Sequence, residues 1–185
     1  LYKAVEEFAA KVRSGEIKGS TGRPFTAVAI NGIGGSALGP QLLQFAINGP
    51  YWNELPAAKR RNALKIYFLD NTDSSGFADL LAVMVPERTL HLVISKSGGT
   101  RETKNNMIAM EDFYASKGLD FAAHAVAVTM KGSQLDQHAR QAQWRRVFEM
   151  ADSIGGRTSE TSIVGHVPAA LTGVNFKKFL DGACA

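Results

Sequence analysis

The residues best suited to chemistry lie in Ser95-Lys96-Ser97-Gly98-Gly99-Thr100-Arg101-Glu102-Thr103. The hydroxyls of Ser95, Ser97, Thr100 and Thr103 can converge on one anion, and the small side chains leave room for it. A phosphate offers several acceptor oxygens, which hydroxyls and the unpaired amides of a helix start satisfy without a full opposing charge. A plain capped helix, with Thr100 or Ser97 as N-cap, needs only one of these hydroxyls. The lysine precedes the glycines and no Gly-Lys-Ser/Thr follows, so the loop is not a nucleoside-triphosphate P-loop.

Two other segments carry related chemistry. Gly32-Ile33-Gly34-Gly35-Ser36-Ala37-Leu38-Gly39 is glycine-rich and runs into a helix. It suits either a tight structural turn or a close backbone approach to a ligand. It lacks the spacing of a dinucleotide fingerprint, and Asp70 lies beyond the usual interval for a ribose-binding acid. Further on, Gly155-Gly156-Arg157-Thr158-Ser159-Glu160 sets an arginine behind two glycines. Its fork can reach phosphate or the oxygens of a reacting sugar, and it stays charged at any working pH. Taken alone, a surface ion pair is the simpler reading of Arg157.

These loops need a frame. Short apolar runs at Thr26–Ile30, Leu64–Leu69, Leu90–Ile94 and Ala122–Val128 read as strands buried on both faces, with a further short strand at Val147–Met150. Between them, apolar residues recur at three- and four-residue intervals over Leu38–Ile47, Gly76–Val85, Glu102–Ser116 and Gln134 to Arg145, which predicts helices. Pro168 is expected to open or kink the last helical region. Alternating strands and helices predict an α/β fold: a doubly wound parallel sheet of about five strands with helices on both faces. Such sheets bind ligands beyond the carboxyl ends of their strands, where all three loops would fall.

Composition narrows the class. With 185 residues, 45% hydrophobic and 21% charged, the chain reads as one globular domain spanning 1–185. No apolar run approaches the roughly 18 residues of a membrane span and no signal pattern opens the chain, so a cytoplasmic location and no membrane partner are expected. The single cysteine, Cys184, excludes an internal disulfide and a cysteine-rich metal site. A net charge of +4, with Lys59-Arg60-Arg61 as its densest run, lacks the broad aromatic-interleaved basic surface of a nucleic-acid binder. Opening on Leu1 and closing on Cys184-Ala185, the chain reads as a piece of something longer.

Taken together, GIGGSALGP, VISKSGGTRETKN and IGGRTSETSIVGHVPAAL, in this order and spacing, closely resemble the glucose-6-phosphate isomerase family, over nearly the whole chain. More narrowly, they resemble its sugar isomerase domain, a flavodoxin-like αβα sandwich, here the N-terminal part of a longer enzyme with two such domains. The resemblance implies a sugar phosphate as ligand, a homodimeric parent, and no metal or organic cofactor. It makes Ser95, Lys96, Ser97, Thr100 and Thr103 the phosphate-binding positions, and Gly35 and Ser36 the first sugar-contacting turn. Arg157 matches the arginine that stabilises charge on a cis-enediol(ate) as a proton moves between C1 and C2. Ser97 stands where many members carry threonine, which keeps the hydroxyl, and Thr158 stands where the family prefers an aromatic.

The proton-shuttling glutamate, the ring-opening histidine and a further lysine and glutamine of that family match no segment here. Glu160 reads as a capping or pairing residue, and His91, His124, His138 and His166 as structural. The isolated chain is therefore expected to be inactive as an isomerase, and a non-catalytic sugar-phosphate sensor is the competing reading.

Overall fold

The computed structural model describes all residues, 1–185. Strands β1 (Ala27–Asn31), β2 (Lys65–Leu69), β3 (Thr89–Ile94), β4 (Ala125–Thr129) and β5 (Arg146–Glu149) form one sheet in the order β2-β1-β3-β4-β5. Every neighbouring pair is parallel. The order reverses direction between β1 and β3, the switch point where loops diverge and open a crevice. The fold is the doubly wound α/β sheet expected, with five strands.

Alternation along the strands divides the core in two. Val28, Ile30, Leu90, Leu92, Ile94, Val126 and Val128 face one layer, where α1 (Tyr2–Arg13), α6 (Ile163–Leu171) and α7 (Phe176–Ala183) lay their apolar residues. Ala29, Val93, Ala125 and Ala127 face the other, covered by α3 (Ser74–Val83), α4 (Arg101–Ser116) and α5 (Gln134–Gln141). Small alanines on that second face leave room for Met107, Met110 and Tyr114 of α4. In α1, Val5, Phe8, Ala9 and Val12 recur at helical intervals and are buried, although the sequence reading set no element there.

Side-chain caps fix several helix starts. Asp73 accepts from the Gly76 amide at 2.6 Å ahead of α3, and Ser133 from the Asp136 amide at 3.0 Å ahead of α5. Ser162 opens α6 by accepting from the Val164 amide at 3.3 Å, so Pro168 lies inside that helix and does not start it. The strand expected from Ala122 begins only at Ala125, because Asp120 caps the Ala122 amide and coils Phe121–His124 into a 3-10 turn. The helix expected to Ile47 is α2 (Gly35–Leu43), prolonged by a π-helical turn over Gln44–Asn48. No helix is long and apolar enough to cross a membrane.

Candidate functional site

The loops after β1 and β3 sit side by side at the switch point, and the segment between β5 and α6 closes over them. They enclose a cleft of about 400 Å³ whose walls include Gly35, Ser36, Lys96, Ser97, Thr100, Gly155, Gly156 and Ser159. That volume lies within the roughly 300–1,000 Å³ of small-molecule sites. Ile33, Met130, Met150, Ile154 and Val164 supply the apolar part of the wall.

Close backbone contact sets the shape of the cleft. A Cβ on Gly35 would overlap the main chain of Gly156, so only a glycine lets the start of α2 meet the Gly155-Gly156 turn. Ser159 Oγ locks the contact by donating to the Gly35 carbonyl at 2.6 Å. On the other wall, Gly98 has φ of 72°, and a Cβ there would run into the Leu135 amide at the start of α5. The loop is thereby seated on α5, with the Gln134 amide donating to Ser97 O at 3.4 Å and the Met130 amide to Lys96 O at 3.2 Å.

Internal hydrogen bonds shape the hydroxyl loop itself. Ser95 Oγ accepts from the Gly98 amide at 3.1 Å and lies 3.3 Å from Thr100 Oγ1; Ser97 Oγ accepts from the Gly99 amide at 3.2 Å. Thr129 Oγ1 anchors the loop from β4 by donating to Ser95 O at 2.6 Å. Thr100 occupies the N-cap position of α4, yet its side chain makes no bond to the helix amides. The first turn of α4 therefore keeps donors free, and its dipole favours an anion in front of it.

The structure gathers Gly35, Ser36, Lys96, Ser97 and Thr100 in the cleft. Ser95 and Thr103 line a smaller neighbouring cavity of about 110 Å³, with Gln134, Leu135 and His138. Thr103 is 3% exposed, and its hydroxyl has no partner. Arg157 stands just outside the cleft, on a groove shared with Gly35, Leu38, Gly156 and Glu160. It is exposed and enters none of the ion pairs, so its guanidinium is uncommitted. Lys96 is spent elsewhere: its ammonium lies 3.1 Å from Asp152 Oδ1 and 3.3 Å from Ile154 O, and also donates to Asp152 O.

No aspartate, glutamate or histidine lines the cleft. The four histidines serve the frame. The Ser20 amide donates to His124 Nε2 at 3.0 Å, so Nδ1 carries the proton and donates to Thr89 O at 3.0 Å. Tyr114 OH gives its proton to Pro86 O at 2.7 Å, which makes His91 Nε2 the donor to the phenol oxygen at 2.9 Å. Burial pushes the His91 imidazole down to about 3 and the Tyr114 phenol well above its ordinary value. His138 pairs with Glu111 at 2.9 Å between α5 and α4. His166 is fully buried, stacks on Phe176 and has no partner for either nitrogen; burial holds it down to about 4.

Of the residues that shape the cleft, Thr129, Ser133, Asp152 and Ser159 were not singled out from sequence. Ser133 has a local signal, a serine three residues before Asp136 at a helix start. The others act across the fold and leave no local mark.

An all-parallel, doubly wound α/β domain with a polar cleft at its switch point is the class this fold and site define. The chain belongs to the phosphoglucose isomerase family, whose model matches residues 1–185. It is 46% identical over 184 residues to the glucose-6-phosphate isomerase of Citrifermentans bemidjiense, covering 98% of this chain and 33% of that protein. It is also 46% identical over 181 residues to that of a Cyanothece species, covering 97% of this chain and 32% of that protein. The crystal structure of a glucose-6-phosphate isomerase from Chlamydia trachomatis superposes with a TM-score of 0.77 at 34% identity, over 97% of this chain and 31% of that one. The chain thus spans about a third of the length of the relatives it matches.

Proposed function

We propose that this chain is the sugar-phosphate-binding domain of an isomerase that interconverts glucose 6-phosphate and fructose 6-phosphate through a cis-enediol(ate). The observation that carries the reading is the meeting of Ser36, Ser97 and Thr100 in one cleft, before a helix start that no side chain caps. There the phosphoryl oxygens accept from the hydroxyls and from the first-turn amides of α4, while Ser95 orients Thr100. The sugar extends past Gly35 toward Gly156. Arg157, free of other partners, swings from the rim to stabilise the negative charge that develops at the enediolate oxygen.

The same cleft holds no group fit to move the proton between C1 and C2, and a base must stand within hydrogen-bond reach of the proton it takes. The base therefore comes from residues outside this chain, in a longer protein that carries a second domain of this kind and works as a homodimer. A non-catalytic sensor of sugar phosphates would share a cleft without a base. Isomerase turnover by the full-length protein, followed in a coupled assay, separates the two readings.

Titration calorimetry with fructose 6-phosphate tests the site. The Ser97→Ala and Thr100→Ala chains should each bind at least about tenfold more weakly than the unaltered chain, as expected for hydrogen bonds to a charged group. Equal binding by all three would remove the assigned phosphate site.

A further inference from the structure

We infer that Lys96 is a positioning residue, a three-point clamp that holds the Gly155–Arg157 turn across the cleft, and that its side chain does not bind the phosphoryl group. The inference rests on the proposed sugar-phosphate reading for its consequence and on geometry alone for the clamp. An ammonium has three N–H donors and no more. Here they face Asp152 Oδ1 at 3.1 Å, Ile154 O at 3.3 Å and Asp152 O, which leaves none for a ligand.

Both ends of the clamp are informative. At one end, Lys96 is fixed by the sheet: the Ser95 amide donates to Val128 O and the Met130 amide to Lys96 O, each at 3.2 Å. At the other, Ala151–Gly155 has no regular secondary structure, and apart from Lys96 its hydrogen-bond ties are the Ile154 amide to Ala151 O at 3.3 Å and two bonds accepted by Gly155 O. Two residues beyond Ile154 is Gly156, packed on Gly35, and then Arg157. Lys96 thus sets where the arginine turn enters the site.

The contribution is one of placement more than stability. The Asp152 side chain is 87% exposed, and an ion pair so wetted adds little. The two main-chain carbonyls are what fix the path of the segment. A lysine suits three diverging acceptors because its donors splay tetrahedrally, whereas the planar fork of an arginine does not.

The experiment compares the unaltered chain with Lys96→Met, Lys96→Arg and Ser97→Ala, by amide hydrogen exchange without ligand and by calorimetry with inorganic phosphate and with fructose 6-phosphate. Lys96→Met should speed exchange within residues 153–158 by about tenfold or more at the Ile154 and Thr158 amides, whose hydrogen bonds to Ala151 O and Gly155 O depend on the path the clamp sets. It should leave inorganic phosphate affinity within about twofold and weaken fructose 6-phosphate by about fivefold or more, with Lys96→Arg restoring only part of either change. Ser97→Ala should weaken both ligands and leave that exchange unchanged. Unchanged exchange over residues 153–158 in Lys96→Met overturns the clamp, and so does an equal loss of phosphate and fructose 6-phosphate. If the unaltered chain binds neither ligand, the sugar-phosphate reading falls, while the exchange comparison still decides the clamp.

Discussion

Gly35 and Gly156 meet backbone to backbone, and a methyl group on Gly35 would occupy the place of the Gly156 carbonyl. Replacing Gly35 by alanine must push α2 away from the turn that carries Arg157, since neither side of the contact is a flexible side chain. The Gly35→Ala chain should lose about 1–3 kcal/mol of stability in urea unfolding, as overpacking does. Its fructose 6-phosphate affinity should fall by about tenfold or more in calorimetry, because the cleft walls no longer meet.

Thr100 and Thr103 are close in sequence but line different cavities. Thr100 faces the cleft and makes no cap bond, so Thr100→Ala should weaken sugar-phosphate binding with little change in unfolding free energy. The Thr103 hydroxyl is buried without a partner. Thr103→Val, of similar shape, should leave ligand affinity within about twofold and keep or raise stability, since an unsatisfied buried hydroxyl costs about 1–3 kcal/mol.

His166 offers the clearest pH dependence. Its folded pKa of about 4 lies below the ordinary histidine value, because burial disfavours the cation. The unfolded chain therefore binds a proton that the native state refuses. The stability tied to this group is whole above about pH 6.5 and drains as the pH falls toward 4, by up to about 1.4 kcal/mol per unit. His91, held at about 3, adds to the same slope. His166→Leu should flatten the decline measured by urea unfolding between pH 6 and 4.5, and raise stability at neutral pH by about 1 kcal/mol by removing two unpartnered nitrogens.

In a coupled assay the chain by itself should show no isomerase turnover, given a cleft without carboxylate or imidazole. A positioned acid or base typically contributes about 10²- to 10⁴-fold. Supplying a concentrated small carboxylic acid buffer should not restore measurable rates, because an untethered base forfeits the advantage of position.

Much of this was legible in local sequence, and what was missed at the cleft shares one physical reason. Continuous apolar runs such as Leu90–Ile94 mark strands buried on both faces, and glycines followed by hydroxyls mark the turns above them, so the sheet and its loops followed. What escaped depends on partners distant in the chain. Lys96 finds its acceptors at Asp152 and Ile154, and Ser159 finds its own at Gly35. Their direction is set by the packed fold. Helix α1 carries its apolar spacing plainly, but no capping residue announces it and its covering helix α6 lies at the far end of the chain.

That arrangement has a consequence for synthesis. Every residue of α6 is buried, and the helix lies among α1, α2 and β1, elements made long before it. At roughly 5–20 residues per second, the segment from Asn31 to Leu171 takes roughly seven to thirty seconds to emerge from a ribosome. Throughout that interval Ile30, and later Leu92 and Ile94, await the helix that will shelter them. A nascent chain of this protein thus carries an adhesive sheet face until Ile163–Leu171 arrives, the kind of surface that holding chaperones grip.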